Sequence, residues 1–148
     1  MIILDNTNKS LVISLGANVT DRQLPFTCTV VDLGATAFTP LTNDGLSNNT
    51  GNVTISAAPP AGLYRQLKFL SIYNTDSASA TVNILLADGS STYQIFSANI
   101  ASGFKLIYAQ DEFAVYDTNG AKQGTGTAGA TGPAGAPGTD YWLYVTNN

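Results

Sequence analysis

The sequence predicts an all-β protein, an antiparallel β-sandwich of jelly-roll-like type followed by a short collagen-like Gly-X-Y triple-helical segment. Apolar and polar residues alternate with a period of two through most of residues 1–120, and no stretch sustains a helical period. Turn-forming residues recur about every ten positions, which is typical of the short strands of a sandwich or jelly roll. Residues 126–140 then read GTA-GAT-GPA-GAP-GTD, five unbroken Gly-X-Y triplets.

Runs rich in β-branched and aromatic residues predict the strands in order from the N-terminus. The opening MIILDNTNKSLVISL alternates through Leu11, Ile13 and Leu15, as a strand does. The later runs are TCTVV, NVTIS, LKFLSIYN, TVNILLA, STYQIFSA, FKLIYA and EFAVYD. Together they place one β-domain over residues 1–120.

Glycine-containing pairs predict the turns between these strands. Asp88-Gly89 lies between two runs and Asn119-Gly120 follows the last one, and both pairs favour hairpins because positive φ costs little there. A type I′ turn is the expected form at Asp117–Gly120. The polar stretch PLTNDGLSNNTG, residues 40–51, is predicted to be a long loop.

The chain divides into four predicted parts. Residues 1–120 form the sandwich, which is expected to trimerise and to attach the protein to a partner. Residues 121–125 form a hinge, residues 126–140 a collagen-like stalk, and residues 141–148 an aromatic C-terminal tip.

The glycines of the stalk are predicted to line the axis of a triple helix. Three polyproline-II chains wind together only when every third residue lacks a side chain, so the run implies three copies of the chain. At roughly 3 Å per residue the stalk is about 45 Å long, and with two prolines, Pro133 and Pro137, it is too poor in imino acid to hold alone. The preceding domain is therefore expected to hold the trimer together; the alternative is a flexible Gly/Ala/Thr linker. The axis positions are Gly126, Gly129, Gly132, Gly135 and Gly138.

The tip is a candidate docking site. Tyr141, Trp142 and Tyr144 form an apolar cluster too short to bury itself within one chain. Three copies could form a hydrophobic knot that clamps the end of the stalk, or the segment could dock a partner protein through its aromatic anchors.

Composition disfavours most enzymes and charged ligands. Only 11% of the residues are charged, against about 25% in ordinary soluble proteins, and the net charge is −4. Nucleic-acid binding is not expected without a basic patch, and the alternating N-terminus favours a strand over a signal peptide or a membrane span. The chain is therefore expected to be made in a cytosol. No cofactor and no small-molecule substrate are predicted.

No constellation of residues predicts catalysis or metal binding. Histidine is absent, and the single cysteine, Cys28, is expected to be a buried thiol. Asp111 and Glu112 are neighbours in a strand-like run, which would turn their side chains to opposite faces and away from a joint catalytic role. The stretches Asp117–Gly120 and Asn43-Asp44 offer oxygen ligands but lack the further acids of a calcium loop. Catalytic and metal-binding residues are therefore predicted to be absent.

Aromatic residues within the predicted strands are expected to pack in the core or between subunits. An aromatic sugar-binding platform is the alternative reading. The set is Tyr64, Phe69, Tyr73, Tyr93, Phe96, Phe104, Tyr108, Phe113 and Tyr116.

The chain resembles small β-sandwich structural proteins of tailed bacteriophages, of the capsid-decoration or head-fibre type. The resemblance lies in an SIYN strand, a DG hairpin, a G-x-x-L-x-Y strand and a VYDTNG turn, followed by collagen-like triplets. It implies a non-enzymatic homotrimer that binds the major capsid protein or another virion protein and stands on the virion surface after synthesis in the host cytoplasm. A tail-fibre or receptor-binding adaptor that engages a host glycan or protein is the main alternative. A cellular collagen-like adhesin and a carbohydrate enzyme are more distant ones.

Overall fold

The computed structural model describes residues 1–36 and 38–124. Across these residues the protein is all-β, with two antiparallel sheets and no helix, an arrangement consistent with a β-sandwich. The all-β prediction is thus confirmed. The stalk, the tip and residue 125 of the predicted hinge lie outside the described residues.

The strands belong to a large sheet and a small sheet. The large sheet has the order β11-β10-β9-β6-β3-β4, and β1 pairs with one end of β6; the small sheet has the order β5-β2-β7-β8. The strands of the described residues are β1 (Ile3–Leu4), β2 (Lys9–Leu15), β3 (Pro25–Leu33), β4 (Phe38–Leu46), β5 (Val53–Ser56), β6 (Tyr64–Tyr73), β7 (Ala80–Asp88), β8 (Ser91–Ile100), β9 (Lys105–Ala109), β10 (Glu112–Tyr116) and β11 (Lys122–Gln123).

One hydrophobic core lies between the two sheets. Ile13 and Ile84 of the small sheet and Leu70 and Leu106 of the large sheet are fully buried in it. Alternation along the strands turns these residues to a shared interior, where each buried aliphatic side chain contributes about 1.5–3 kcal/mol. β8 is an edge strand of the small sheet, and β4 is an edge strand of the large sheet.

The β4 strand corrects the prediction of a long loop. Residues 38–46 pair with β3 over its whole length from Leu46↔Pro25 to Phe38↔Leu33. Nearly every side chain of β4 is exposed, because this edge strand has a neighbour on one side and little cover on its faces. Its sequence accordingly lacks the alternation by which strands are recognised. Only the last part of the predicted loop, residues 47–51, stays outside a strand.

The turns confirm both hairpins and correct the type predicted for the second one. Gly89 has φ +60° and Ser90 does not have positive φ, the pattern of a type II′ turn between β7 and β8. In the turn after β10, Gly120 alone has positive φ, at +80°, and its N–H donates to the carbonyl of Asp117. A type I′ turn requires positive φ at two residues, so the type predicted for this turn was wrong.

A type I′ geometry occurs instead at a hairpin without glycine. Gln110 and Asp111 join β9 to β10 with φ of +52° and +65°. Non-glycine residues pay a steric penalty in this region, so no glycine signal marked the turn in the sequence. Lys122 and Gln123 also form β11 within the predicted hinge, so the large sheet extends past residue 120.

Candidate functional site

The predicted site residues fall outside the part of the chain that the structure describes. These are the axis glycines Gly126, Gly129, Gly132, Gly135 and Gly138 and the tip residues Tyr141, Trp142 and Tyr144. Their roles stay predictions. Any site within residues 1–124 must be built from the sandwich itself.

The two neighbouring acids lie in different surroundings. Asp111 lies in the β9–β10 turn and not in a strand, which corrects the sequence prediction, because both turn positions adopt left-handed backbone. Its carboxylate accepts a hydrogen bond from the Tyr108 hydroxyl at 3.1 Å. Glu112 begins β10 and pairs with Lys122 at 2.7 Å on the exposed surface. Each acid therefore has a structural partner.

Hydrogen bonds within the domain hold Asp117 and Asn43 in structural roles. The Asp117 carboxylate accepts from the backbone N–H groups of Asn119 and Ala121 and from the side-chain amide of Gln123. Asn43 lies in β4 and donates to the carbonyl of Ile55. No group of three or more His, Cys, Asp or Glu side chains suited to a metal ion occurs within residues 1–36 and 38–124.

A buried ion pair closes one end of the interior. Asp32 and Arg65 lie directly opposite each other on β3 and β6, and the guanidinium donates to both carboxylate oxygens at 2.6 and 2.7 Å. The hydrogen bond to Arg65 lowers the pKa of Asp32, and Arg65 also donates to the carbonyl of Ala57. Both carboxylate oxygens of Asp32 and three guanidinium nitrogens of Arg65 therefore have hydrogen-bond partners. A buried ion pair whose polar atoms are all satisfied in this way serves the structure of the domain.

Cys28 is a buried thiol, as predicted. It is 1% exposed in the core of the sandwich, where burial raises the pKa of the thiol to about 11. A thiol with so high a pKa is almost entirely protonated at neutral pH, and protonated thiols are poor nucleophiles. Cys28 is therefore a core residue.

The densest polar network in the described domain follows β6, and sequence reasoning missed it. The Asn74 amide is fully buried; it donates to the carbonyls of Ala78 and Ile100 and accepts from the N–H of Asp76. Asp76 in turn accepts from the N–H groups of the loop that precedes β3. The network ties two loops to the end of the sandwich. An Asn-x-Asp pattern at a strand end was its only signal in the sequence, and that pattern is common in ordinary turns.

The pKa of Asp76 lies well below its ordinary value. A side-chain hydrogen bond with Asp21 contributes, together with the backbone N–H groups of Thr20, Asp21 and Arg22. These donors favour the ionised carboxylate. The Asp76 carboxylate therefore holds the loop before β3 in place.

An apolar cleft, here called the β8–β10 cleft, opens on the described surface between β8 and β10. It has a volume of about 500 Å³, and its floor includes Phe96 and Phe113, whose rings stack with centroids 4.4 Å apart. None of its lining residues is charged. They are Phe96, Ser97, Ala98, Asn99, Ala101, Phe104, Phe113, Ala114, Val115, Gln123 and Gly124.

One lip of this cleft is an unprotected edge strand. β8 is ten residues long, STYQIFSANI, and contains neither a charged residue nor a proline. Soluble proteins normally guard exposed edges with charge, proline or short length. The other outer strands of the described sheets follow that practice: β4 contains Pro40 and Asp44, β5 has four residues and β11 has two. Edge β8 is thus the one suited to contact with another chain.

A second exposed apolar feature runs across one end of the large sheet. Leu33 lies opposite Phe38 on β4 and opposite Tyr64 on β6, so the three side chains share one face. Phe38 is 70% exposed and Tyr64 55% exposed. This Phe38–Leu33–Tyr64 row is an apolar patch on the outer surface.

The aromatic residues divide between core and surface. Tyr108 is buried, and Phe96, Phe104 and Phe113 pack against the core, which confirms core packing for these four. Tyr73 and Tyr93 are exposed, as is Tyr64. Their predicted place between subunits stays a prediction.

Comparison with models of known protein families, with curated proteins and with solved structures gives no match for this chain. Within the described residues there is also no helix long and apolar enough to cross a membrane.

Proposed function

We propose that this chain is a non-enzymatic homotrimeric protein of the virion surface, which binds and decorates the capsid of a tailed bacteriophage. The observation on which the proposal depends is the run of five Gly-X-Y triplets directly after an all-β domain. A triple helix needs three chains, and glycine is required at every third position only because three chains crowd together at its axis. The resemblance to phage structural proteins gives the location.

In this proposal the fold is a jelly-roll-like sandwich with a collagen-like stalk. The sandwich seats on a three-fold position of the capsid lattice, where a closed trimer matches the local symmetry. Residues 126–140 wind into the stalk and project outward, with the glycines at the axis. The major capsid protein or another virion protein is the partner.

Surface chemistry supports binding as the function. Asp111, Glu112 and Asp117 have structural partners, and Cys28 lies in the core. The exposed Phe38–Leu33–Tyr64 row offers an apolar contact for a protein partner. Its uncharged aromatic and aliphatic side chains are of the kind enriched in the centre of protein interfaces.

Two measurements test the proposal. Light scattering coupled to size-exclusion chromatography should give the mass of three chains at micromolar concentration. Electron microscopy of the native particle, or co-sedimentation with its empty capsids, should place the chain on the capsid. A monomer in the first experiment, or density away from the capsid in the second, would contradict it.

The stalk has its own test. Replacing Gly129 and Gly132 with Ala puts methyl groups at the axis, which disrupts the triple helix locally but leaves the sandwich folded. We expect residues 126–140 to become sensitive to protease while the circular dichroism of the β-domain is unchanged. Equal protease resistance in the variant and the wild type would favour the linker alternative.

A tail-fibre or receptor-binding adaptor is the second candidate. The exposed aromatic side chains of Phe38 and Tyr64 favour it, because aromatic rings exposed together are suited to stacking on sugars as well as to protein contacts. Binding of the purified chain to host cells or to a glycan array, without binding to capsids, would support the adaptor over the decoration protein.

A further inference from the structure

We propose that the β8–β10 cleft and edge strand β8 face the three-fold axis, and that a second copy of this chain covers them. The inference rests on the proposed trimer and specifies which surface of the sandwich forms it. Three independent observations support the choice of this surface. They are the point where the chain leaves the domain, the uncharged lining of the cleft and the unpaired, uncharged edge of β8.

The exit point of the chain fixes the orientation of the domain. Gly124 is itself part of the wall of the β8–β10 cleft, and the first axis glycine of the triplets is Gly126. Two residues span at most about 7 Å even when fully extended. In a trimer with a wound stalk, Gly124 of each copy therefore lies within about 7 Å of its own axis glycine, and the cleft lies beside the axis. The β4 edge is on the far side of the large sheet, five strands from β11.

The cleft has the chemistry of an interface centre. Phe96, Phe113 and Val115 are only partly buried within one chain, and no charged residue lines the opening. Two exposed ion pairs lie beside it: Glu112 with Lys122 on β10 and β11, and the N-terminus of Met1 with Asp111 in the β9–β10 turn. Apolar centres with charged residues at the rim are typical of protein interfaces. Water in such a cleft would be displaced favourably by another copy.

The β8 edge adds backbone groups that need partners. An uncharged ten-residue edge without proline readily pairs with another chain, which in a soluble protein calls for cover. Tyr93 and Ile95 of this strand are 57% and 41% exposed, which adds apolar area to the same side. In a closed ring of three copies each edge is covered once, so pairing does not continue into a fibre.

The test places one lysine on each edge in the full-length chain. Ser97 lies mid-strand on β8 and is exposed, and Thr42 lies mid-strand on β4 and is also exposed. Ser97→Lys puts a charge against the neighbouring copy, whereas Thr42→Lys puts it at an edge that faces solvent. Ser97→Ala is the matched control, because it removes the side-chain hydrogen bond to Asn83 at 2.8 Å without adding charge.

We expect Ser97→Lys to raise the concentration at which the trimer dissociates by at least about tenfold, measured by light scattering over a dilution series. Ser97→Ala and Thr42→Lys should dissociate at the wild-type concentration. A trimeric wild type with no shift for Ser97→Lys, or an equal shift for Thr42→Lys, overturns this assignment and leaves the proposed function standing. A monomeric wild type overturns both.

A second measurement requires no variant. In hydrogen exchange of the full-length wild type, the amides of β8 that point away from β7 should exchange slowly, because the neighbouring copy covers them. The outward amides of β4 should exchange quickly. Fast exchange at both edges would overturn the assignment even if Ser97→Lys failed to fold.

Discussion

Asn74→Ala should be among the most damaging single substitutions in the β-domain. The side chain is fully buried and makes three hydrogen bonds: to the carbonyls of Ala78 and Ile100, and from the N–H of Asp76. Alanine leaves all three backbone groups without their partner. Two of these bonds are fully buried and the one to Ala78 is partly buried, so water can replace only that one readily.

The expected loss follows from these three groups. A buried donor or acceptor left without a partner costs about 1–3 kcal/mol, and a partly buried one costs less. Values near the middle of that range for the two buried groups, with a small contribution from the third, give about 3–5 kcal/mol in total. For a domain of about 120 residues each kcal/mol lowers Tm by roughly 4 °C, so we expect a fall of roughly 12–20 °C. A protein whose unfolding free energy is about 5–15 kcal/mol would lose a large part of its stability.

Urea unfolding monitored by far-ultraviolet circular dichroism, which reports on the β-strands, measures the effect. Variant and wild type are compared at one protein concentration, because association shifts the apparent stability of a trimer. Asn52→Ala is the matched control: Asn52 is exposed and lies away from the β8–β10 cleft, so a change within about 0.5 kcal/mol is expected. A loss below about 1 kcal/mol for Asn74→Ala, with an unchanged m-value, would refute the reasoning.

Three further substitutions probe the described domain. Asp76→Asn should lower stability at neutral pH, and the difference from the wild type should shrink as pH falls below about 4, since the depressed pKa of Asp76 stabilises the fold only while the group is ionised. Asp32→Ala should cost about 3–5 kcal/mol in urea unfolding, because it leaves the Arg65 charge buried without its partner. Gln110→Gly should instead raise stability by about 0.5–1 kcal/mol, since φ of +52° is strained for glutamine and not for glycine.

Each of these has a matched control. Ser77→Ala removes only an exposed hydroxyl bond of 3.3 Å to Asp21 and keeps the donors to Asp76, so the acid limb of its stability curve should stay close to that of the wild type. Lys122→Ala breaks an exposed pair that solvent screens, so it should shift the urea midpoint far less than Asp32→Ala does. Gly89→Ala should lower stability, because it puts a side chain at φ of +60° with no atom nearby to pack against. If a control variant changed stability as much as the substitution that it is paired with, and in the same direction, the physical reason given for that substitution would be wrong.

Local sequence signals predicted the strands whose side chains alternate between core and solvent. β6 and β9 were recognised from LKFLSIYN and FKLIYA because each pairs on both sides within the large sheet and has one face in the core. β4 was missed because its stability comes from hydrogen bonds to β3, and its exposed side chains show no period. Pairing with one neighbouring strand leaves no mark on the side-chain pattern of an edge strand whose faces are exposed.

The candidate site shows the same division. Residues 126–140 have glycine at every third position, which is the steric requirement of a triple helix and is visible in the sequence itself. The β8–β10 cleft and the unguarded edge beside it could not be foreseen, because strand order decides which strand is outermost.

By itself the sequence determined the all-β class, the hairpins at Gly89 and Gly120 and the buried position of Cys28. These depend on backbone preference and on hydrophobicity, which are properties of neighbouring residues. Tertiary structure alone decided that Asn74 is an interior hydrogen-bonding hub and that Gly124 opens onto an apolar cleft. Both depend on contacts between residues that are distant in the chain, and such contacts exist only once the two sheets have packed together.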